Sequence, residues 1–382
     1  MTATIRYAIL GCGMMGHEHI HNLALVPGAQ VVAIAEPDAE MRASALQLVQ
    51  NSDAAPEAPP KGFTNLDDLL AWGHMDALVI ASPNHCHAQQ LLKVLAKTQL
   101  PVLVEKPIVT RPEDMELIAN AAKSHPAPIW VAMEYRYMPP IQHFRQHLED
   151  KTIGDLKNLT IREHRFPFLQ KVGHWNRFNR NTGGTLVEKC CHFFDLMRLL
   201  TQGEATRVFA SAGQDVNHLE ERYDGETPDI LDNAYVTVEF NNGKRALLEL
   251  NMFAEGSQFQ EELSAVGPIG KVEAFVPGPG RFWPEHLGAA PVPKVVLSPR
   301  NPKGPQESEI PVDPKLLAAG DHNGSTYYQH LNFNRAIQGL TTVEVSVEDG
   351  LKAVLIGLAA QESARTGRAM NISKNGLAFS PN

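Results

Sequence analysis

Over the first third of the chain, short apolar runs alternate with segments whose apolar positions recur every three to four residues. "IRYAIL" (5–10), "AQVVAIAE" (29–36), "MDALVIAS" (75–82), "LPVLVE" (100–105) and "APIWVAM" (127–133) read as buried strands. "MMGHEHIHNLALV" (14–26), "DAEMRASALQLVQ" (38–50), "HCHAQQLLKVLAK" (85–97) and "PEDMELIANAAKS" (112–124) carry helical spacing between them. Near-continuous apolar strands joined by such helices predict a parallel sheet with crossover helices. The Pro/Ala-rich stretch "NSDAAPEAPPKG" (51–62) reads as a surface insertion.

After about residue 133 the pattern changes. "PIQHFRQHLEDK" (140–151) is helical, and "LKNLTIREHRF" (156–166) alternates like a half-buried strand. Beyond a helix over 184–201, "NAYVTVEF-NNG-KRALLELNMF" and "FQEELSAV-GPIG-KVEAFV" read as hairpins, the first with an Asn-Gly turn. This predicts an α/β domain over 1–133, followed by an α+β domain over 134–382 on a mostly antiparallel sheet. "VEDGLKAVLIGLAAQESARTG" (347–367) is a final helix and a candidate to pack back on the first domain.

Composition narrows the function class. At 382 residues, 43% hydrophobic and 20% charged, the chain can build two cores. A net charge of −9 argues against a nucleic-acid surface. No apolar run nears the roughly 18 residues that span a bilayer. "MTATIRYAILG" lacks the basic n-region and apolar core of a signal peptide, so cytoplasmic placement is expected. Cys12, Cys86, Cys190 and Cys191 form no CxxC pair, so they read as reduced thiols and no metal site is expected.

Two clusters carry chemistry. "AILGCGMMGHEH" sets Gly11, Gly13 and Gly16 in G-x-G-x-x-G spacing between a strand and a helix, with Cys12, Met14 and Met15 in the same loop. Glycines there allow the tight turn, close approach to a pyrophosphate and close helix–strand packing. Glu36 ends the next strand, where an acid can bind ribose hydroxyls and repel a 2′-phosphate, favouring NAD over NADP; the lesser alternative is a solvated strand end. His17, His19 and His21 scatter around the helix and read as solvated or capping residues. In the second cluster, "NTGGTLVEKCCHFFDLMRLL", helical spacing puts Glu188, His192 and Asp195 on one face. An imidazole suits proton transfer at neutral pH, and Glu188 could fix its tautomer. The bland alternative is an interior histidine with helix ion pairs. "VLVEKPI" (102–108) poses a similar choice, since Lys106 could be solvated punctuation or part of a reaction centre.

Together "GCGMMG", "ASPNHCH" (81–87), "VLVEKP", "MEYRYMPP" (133–140) and "GGTLVEKCCHFFD" (183–195) resemble the Gfo/Idh/MocA family of oxidoreductases, relatives of glucose–fructose oxidoreductase and inositol dehydrogenase. The resemblance implies a Rossmann domain followed by a domain with a large, open, mostly antiparallel sheet, whose exposed face commonly forms dimers and tetramers. It implies that Lys106 contacts the reacting oxygen, that His192 is the general acid/base, and that Glu188 is its partner in place of the commoner Asp. It also implies that Ser82, Asn84 and His87 lie beside the cofactor, that Glu105 is near the nicotinamide, and that Asp195 is near substrate hydroxyls. The "EKCCHFFDLMRLL" variant resembles inositol and sugar dehydrogenases, including scyllo-inositol dehydrogenases that accept L-glucose.

"HWNRFNRNTGG" (174–184) and "GDHNGSTYYQHLNF" (320–333) are rich in groups that bind hydroxyls, among them Asn179 and Tyr327. Trp175, Arg177 and His322 are the favoured substrate contacts. The expectation is an NAD-dependent cyclitol or sugar dehydrogenase. A pyranoside or anhydrosugar dehydrogenase, or an NADPH-dependent sugar reductase, is the alternative, and a non-catalytic dinucleotide-sensing regulator is the remote one.

Overall fold

The computed structural model describes residues 4–382. By contact the chain forms two units, one running to Glu134 and joined by Ser325–Leu351, the other comprising Tyr135–Gly324 and Lys352–Asn382.

The first unit begins with β1 (Ile5–Leu10), α1 (Met14–Leu23), β2 (Ala29–Ala35), α2 (Ala39–Gln50), β3 (Lys61–Phe63) and α3 (Leu66–Trp72). It continues with β4 (Ala77–Ile80), α4 (His87–Lys97), β5 (Val102–Val104), α5 (Glu113–Lys123) and β6 (Ile129–Val131). The sheet order is β3-β2-β1-β4-β5-β6, every pair parallel. This is the doubly wound order in which ligands sit outside the carboxyl ends of the strands. Every residue of β4 and β5 is buried, because helices cover both faces, and that is why these strands read as unbroken apolar runs. β3 and α3 have no counterpart in the hydrophobic pattern. β3 is three residues long and none of them is buried, so it carries no apolar run to recognise.

The second unit opens with α6 (Pro139–Glu149), β7 (Asn158–His164), α7 (Asn179–Thr182), α8 (Thr185–Glu188) and α9 (Cys191–Thr201). The strands β8 (Ala205–Gly213), β9 (Asn233–Phe240), β10 (Arg245–Asn251), β11 (Glu261–Gly267), β12 (Gly270–Val276), β13 (Lys294–Pro299) and β14 (Gln306–Glu309) follow. A short α10 (Pro314–Ala318) and the terminal β15 (Met370–Ile372) and β16 (Phe379–Pro381) complete it. Ten strands form one open sheet in the order β14-β13-β12-β11-β7-β10-β9-β8-β15-β16. Only β7 and β10 pair in parallel; the other neighbours are antiparallel, including both hairpins expected from the sequence. β9 alternates strictly between buried and open positions, so one face of the sheet is covered and the other is not.

The helix expected over 184–201 is interrupted. α8 ends at Glu188 and α9 starts at Cys191, and the Cys190 amide reaches back to the Thr185 carbonyl at 3.4 Å, one residue beyond α-helical spacing. Glu188 therefore does not share a regular helical face with His192 and Asp195, as uniform spacing would have it.

Ser325–Leu351 belongs to the first unit by contact, where the sequence expectation assigned it to the second domain. Its α11 (Ser325–Ile337) lies on α1 through polar bonds: Thr326 Oγ1 donates to Glu18 at 2.8 Å, and Tyr7 Oη donates to Asn334 at 2.9 Å. α12 (Val347–Thr366) starts in the first unit, with Gly350 against Val131, and continues into the second, where Gly357 lies against the Leu186 carbonyl.

Candidate functional site

In the first unit the glycine loop is shaped by close approach. Gly11 has φ +91°, and a Cβ there would lie 2.5 Å from the Ser82 amide nitrogen, so no other residue fits without moving backbone. A Cβ at Gly16 would lie 2.3 Å from the Gly11 carbonyl oxygen, which explains the third glycine. Gly13 differs, since a Cβ there would meet nothing within 4 Å. Gly13 is also the N-cap of α1 and offers no side-chain cap, leaving the first amides of the helix without that partner. Met14 is exposed and Met15 half-buried at the same turn, while the Cys12 thiol is buried and pushed up to about 12, by burial first and the Glu36 charge second.

Glu36 is locked at the rim of this loop. Its Oε2 accepts the Cys12 amide at 2.8 Å and its Oε1 the Asp38 amide at 3.1 Å. An open helix N-terminus beside a fixed carboxylate fits a pyrophosphate and its adjoining ribose. Ser82 Oγ donates to Gln90 at 2.5 Å, and Asn84 is buried in the same loop. His87 lies deeper than a cofactor contact. It is wholly buried between the Ser82 and Pro107 carbonyls, both at 2.8 Å, and burial lowers its pKa. The neutral ring donates to only one of them, so His87 braces the loop from behind.

Lys106 follows β5, two residues past its end, and is half-buried. Glu105 is buried beneath it and accepts the Lys106 amide at 3.2 Å. Its other oxygen meets His19 Nε2 at 3.0 Å, and His19 Nδ1 meets His330 Nε2 at 2.8 Å. Burial opposes the Glu105 charge, but His19 and Lys106 together hold its pKa below the usual value. Burial, then His19, drives the His330 pKa well down, so that ring is neutral. The expectation that His19 is solvated or a cap is corrected, because both of its ring nitrogens are held by buried partners inside the unit.

In the second unit His192 is 2% exposed and lies flat on Tyr135, ring centroids 4.1 Å apart and planes within 7°. Lys189 Nζ donates to Tyr135 Oη at 2.5 Å and pairs with Glu163 at 2.8 Å. Glu188 pairs with Lys171 at 3.4 Å, and the Lys171 ammonium lies 4.5 Å from the centre of the Trp175 ring. The half-buried His322 has its ring 5.9 Å from that of Tyr135. His192 and His322 thus lie by Tyr135, and Glu188 and Trp175 by Lys171.

Two expected contacts point elsewhere. Asp195 is fully buried, and its two oxygens take the Arg136 guanidinium in a bidentate pair at 2.5 Å. Such a closed pair serves as an internal tie, which corrects its reading as a hydroxyl ligand. Arg177 is buried against Glu221 at 2.8 Å. Although burial opposes it, bonds from His218, Tyr223 and Arg177 hold the Glu221 carboxyl at about 2. Asn179 is bound to Asp229, and Tyr327 lies in the first unit against Tyr328.

Sequence reading missed Tyr135, Lys189, Glu163 and Glu261. A signal for the glutamates exists: Glu163 falls in phase with the inward-facing Leu159 and Ile161, and Glu261 with Leu263 and Ala265. A charge in an inward slot of an alternating strand calls for a partner. Among the described residues no group of three or more His, Cys, Asp or Glu side chains is placed to hold a metal ion. No helix among them is long and apolar enough to cross a membrane.

Comparison with known proteins agrees with both halves of this architecture. Residues 5–133 match a family profile described as "Oxidoreductase family, NAD-binding Rossmann fold", and residues 145–372 one described as "Oxidoreductase family, C-terminal alpha/beta domain". The uncharacterized oxidoreductase YrbE of Bacillus subtilis is 27% identical over 251 residues, covering 65% of this chain and 67% of that protein. An inositol 2-dehydrogenase of Arthrobacter sp. is 30% identical over 216 residues, covering 56% of this chain and 59% of its own length. The WlbA dehydrogenase from Bordetella pertussis, solved with NADH and UDP-GlcNAcA, superposes with a TM-score of 0.72 at 20% identity, covering 97% of this chain and 99% of that one. At that identity the likeness speaks to fold alone.

Proposed function

Because the chain belongs to the Gfo/Idh/MocA oxidoreductase family, we propose that it is an NAD-dependent dehydrogenase oxidising a secondary hydroxyl of a cyclitol or hexose-like sugar to a ketone. The observation that carries this reading is His192, held flat on Tyr135 in a nearly closed, polar setting. An imidazole so placed suits general-base work, since its orientation is fixed and a ring nitrogen can take up and release a proton.

In this reading Gly11, Gly13, Gly16 and the α1 amides cradle the pyrophosphate, and Glu36 takes the ribose hydroxyls. NAD bound there supplies the hydride acceptor. Neutral His192 removes the hydroxyl proton, and the Lys106 ammonium stabilises the alkoxide that forms, a charge match that often dominates catalysis. Glu188 and Lys171 steady the region around His192, while Trp175 and His322 offer an aromatic face and a donor to a polyhydroxylated ring. A carboxylate at Glu36 would repel a 2′-phosphate, which supports NAD over NADP.

The inositol 2-dehydrogenase relative supports a cyclitol among the substrates to try first. We place the protein in the cytoplasm, as a homo-oligomer assembled through the open sheet face, where Phe209 and Tyr235 are exposed. Light scattering after gel filtration reads the assembly. The enzymatic test is NADH formation at the dinucleotide's absorbance band, with NAD or NADP against inositols, hexoses and anhydrosugars. Turnover with NAD and a cyclitol or hexose is expected. Activity only with NADP, or with none of these alcohols, contradicts the proposal.

A further inference from the structure

Four buried groups have no part in the reaction as described: Tyr135, which lies against His192, and Lys189, Glu163 and Glu261, which follow one another behind it. We infer that Tyr135 is a positioning residue for His192, its ring clamped by Lys189 so that it lies flat against the imidazole and favours the protonated base. This rests on the reading of His192 as the general base.

The arrangement is specific. The two rings are parallel to within 7° at a centroid separation of 4.1 Å, the contact in which an aromatic face attracts an imidazolium more than a neutral imidazole. The Tyr135 ring cannot swing away freely, because its hydroxyl oxygen accepts from Lys189 Nζ at 2.5 Å. Lys189 in turn is buried and needs a counter-charge. Glu163 supplies it at 2.8 Å and also faces Arg165 at 3.5 Å. Glu261 stands directly opposite Glu163 in the β11–β7 register, so two carboxyls share this one cationic partner region. Desolvation and the neighbouring Glu163 raise the Glu261 pKa to about 7.

The charged side chains nearest along the same segment have partners of their own. Glu188 on the preceding turn holds Lys171. Arg136 and Asp195 close on each other. His322 lies beyond the Tyr135 ring, 5.9 Å from it. Tyr135 is thus the group that reports the buried charge set to the imidazole. A phenylalanine would keep the face, whereas an aliphatic side chain would remove it.

The test reads His192 directly in protein labelled with 13C at histidine Cε1. The His192 resonance is assigned by its loss in His192→Gln and followed against pH in wild type, Tyr135→Phe and Tyr135→Leu. In Tyr135→Leu the titration midpoint is expected to fall by about one pH unit or more, the size of a desolvated cation–π contact. In Tyr135→Phe it is expected to fall by less than half as much, since the face is retained while the Lys189 clamp on it is lost. A merely structural role would lower the melting temperature and leave the midpoint alone, so an unshifted midpoint in Tyr135→Leu overturns the inference. So does an equal shift in both variants. If Tyr135→Leu does not fold, Tyr135→Met fills the space without an aromatic face and carries the same expectation. The underlying reading fails separately: His192→Gln would then form NADH from the alcohol at the wild-type rate, whatever the midpoints show.

Discussion

The two units place their functional groups in opposite ways. In the first, the groups assigned to the dinucleotide come from backbone at a turn: Gly11, Gly13 and Gly16, with Glu36 fixed by the Cys12 and Asp38 amides. In the second, His192 is held by side chains from distant segments, namely Tyr135 after β6, Glu163 on β7 and Lys189 between α8 and α9. A turn tolerates changes elsewhere so long as its glycines remain. A side-chain network couples every member to the others, and losing one leaves its buried partner uncompensated.

That contrast can be broken at several points. The largest effect is expected at Lys106, assigned to the alkoxide. Lys106→Ala should lower turnover by two orders of magnitude or more, about 2.7 kcal/mol of transition-state stabilisation, with NAD affinity little changed. Steady-state kinetics beside a binding titration reads both quantities. Glu36→Ala should do the reverse: it loses charge-assisted bonds to the ribose hydroxyls and weakens NAD binding roughly tenfold or more, while turnover at saturating cofactor changes less. Comparable losses of affinity and turnover in either variant would dissolve the division of labour.

Smaller effects separate the two buried networks. Glu105→Gln keeps the size and one acceptor of the original but removes the charge facing His19 and Lys106. A severalfold fall in kcat without a change in NAD affinity is expected, in line with the loss of one charge-assisted hydrogen bond. No change in kcat would make the Glu105–His19–His330 chain purely structural. The mildest change concerns Glu261. Its carboxyl titrates at about 7 in the fold against the usual 4.5, so the folded chain holds more protons between those values and loses stability as pH rises through that window. Glu261→Gln removes the penalty. Its melting temperature should exceed that of wild type by most above pH 7, and the gap should close toward pH 5. A gap that widens on acidification would mean that the charged form is the stabilising one.

The sequence made different parts of this molecule legible for different physical reasons. Helix-covered strands such as β4 and β5 announce themselves as apolar runs, and the glycine loop is local, so its spacing is readable within a single stretch. The hairpins joining β9 to β10 and β11 to β12 were legible through alternation and turn residues. The edge strand β3 was not, since an exposed three-residue strand has no apolar signature. The helix holding His192 was located but idealised, because uniform spacing cannot show the break between Glu188 and Cys191. The family resemblance marked Asp195 and residue chemistry marked Arg177 as substrate contacts, yet Arg136 and Glu221, far away in sequence, pair with them. His19 failed in the same way, as its partners Glu105 and His330 lie 86 and 311 residues along the chain. Whether a polar side chain faces a ligand or another buried group is decided by tertiary partners, which no local pattern encodes.

The central claim is that the second unit supplies the base while the first binds the dinucleotide. Measuring NAD affinity and NADH formation together in His192→Ala tests it most directly, starting with myo-inositol and continuing to the alcohol that wild type oxidises fastest. The account predicts NAD affinity within about twofold of wild type and turnover reduced a hundredfold or more. Turnover near wild type in that variant, with cofactor bound normally, would contradict it.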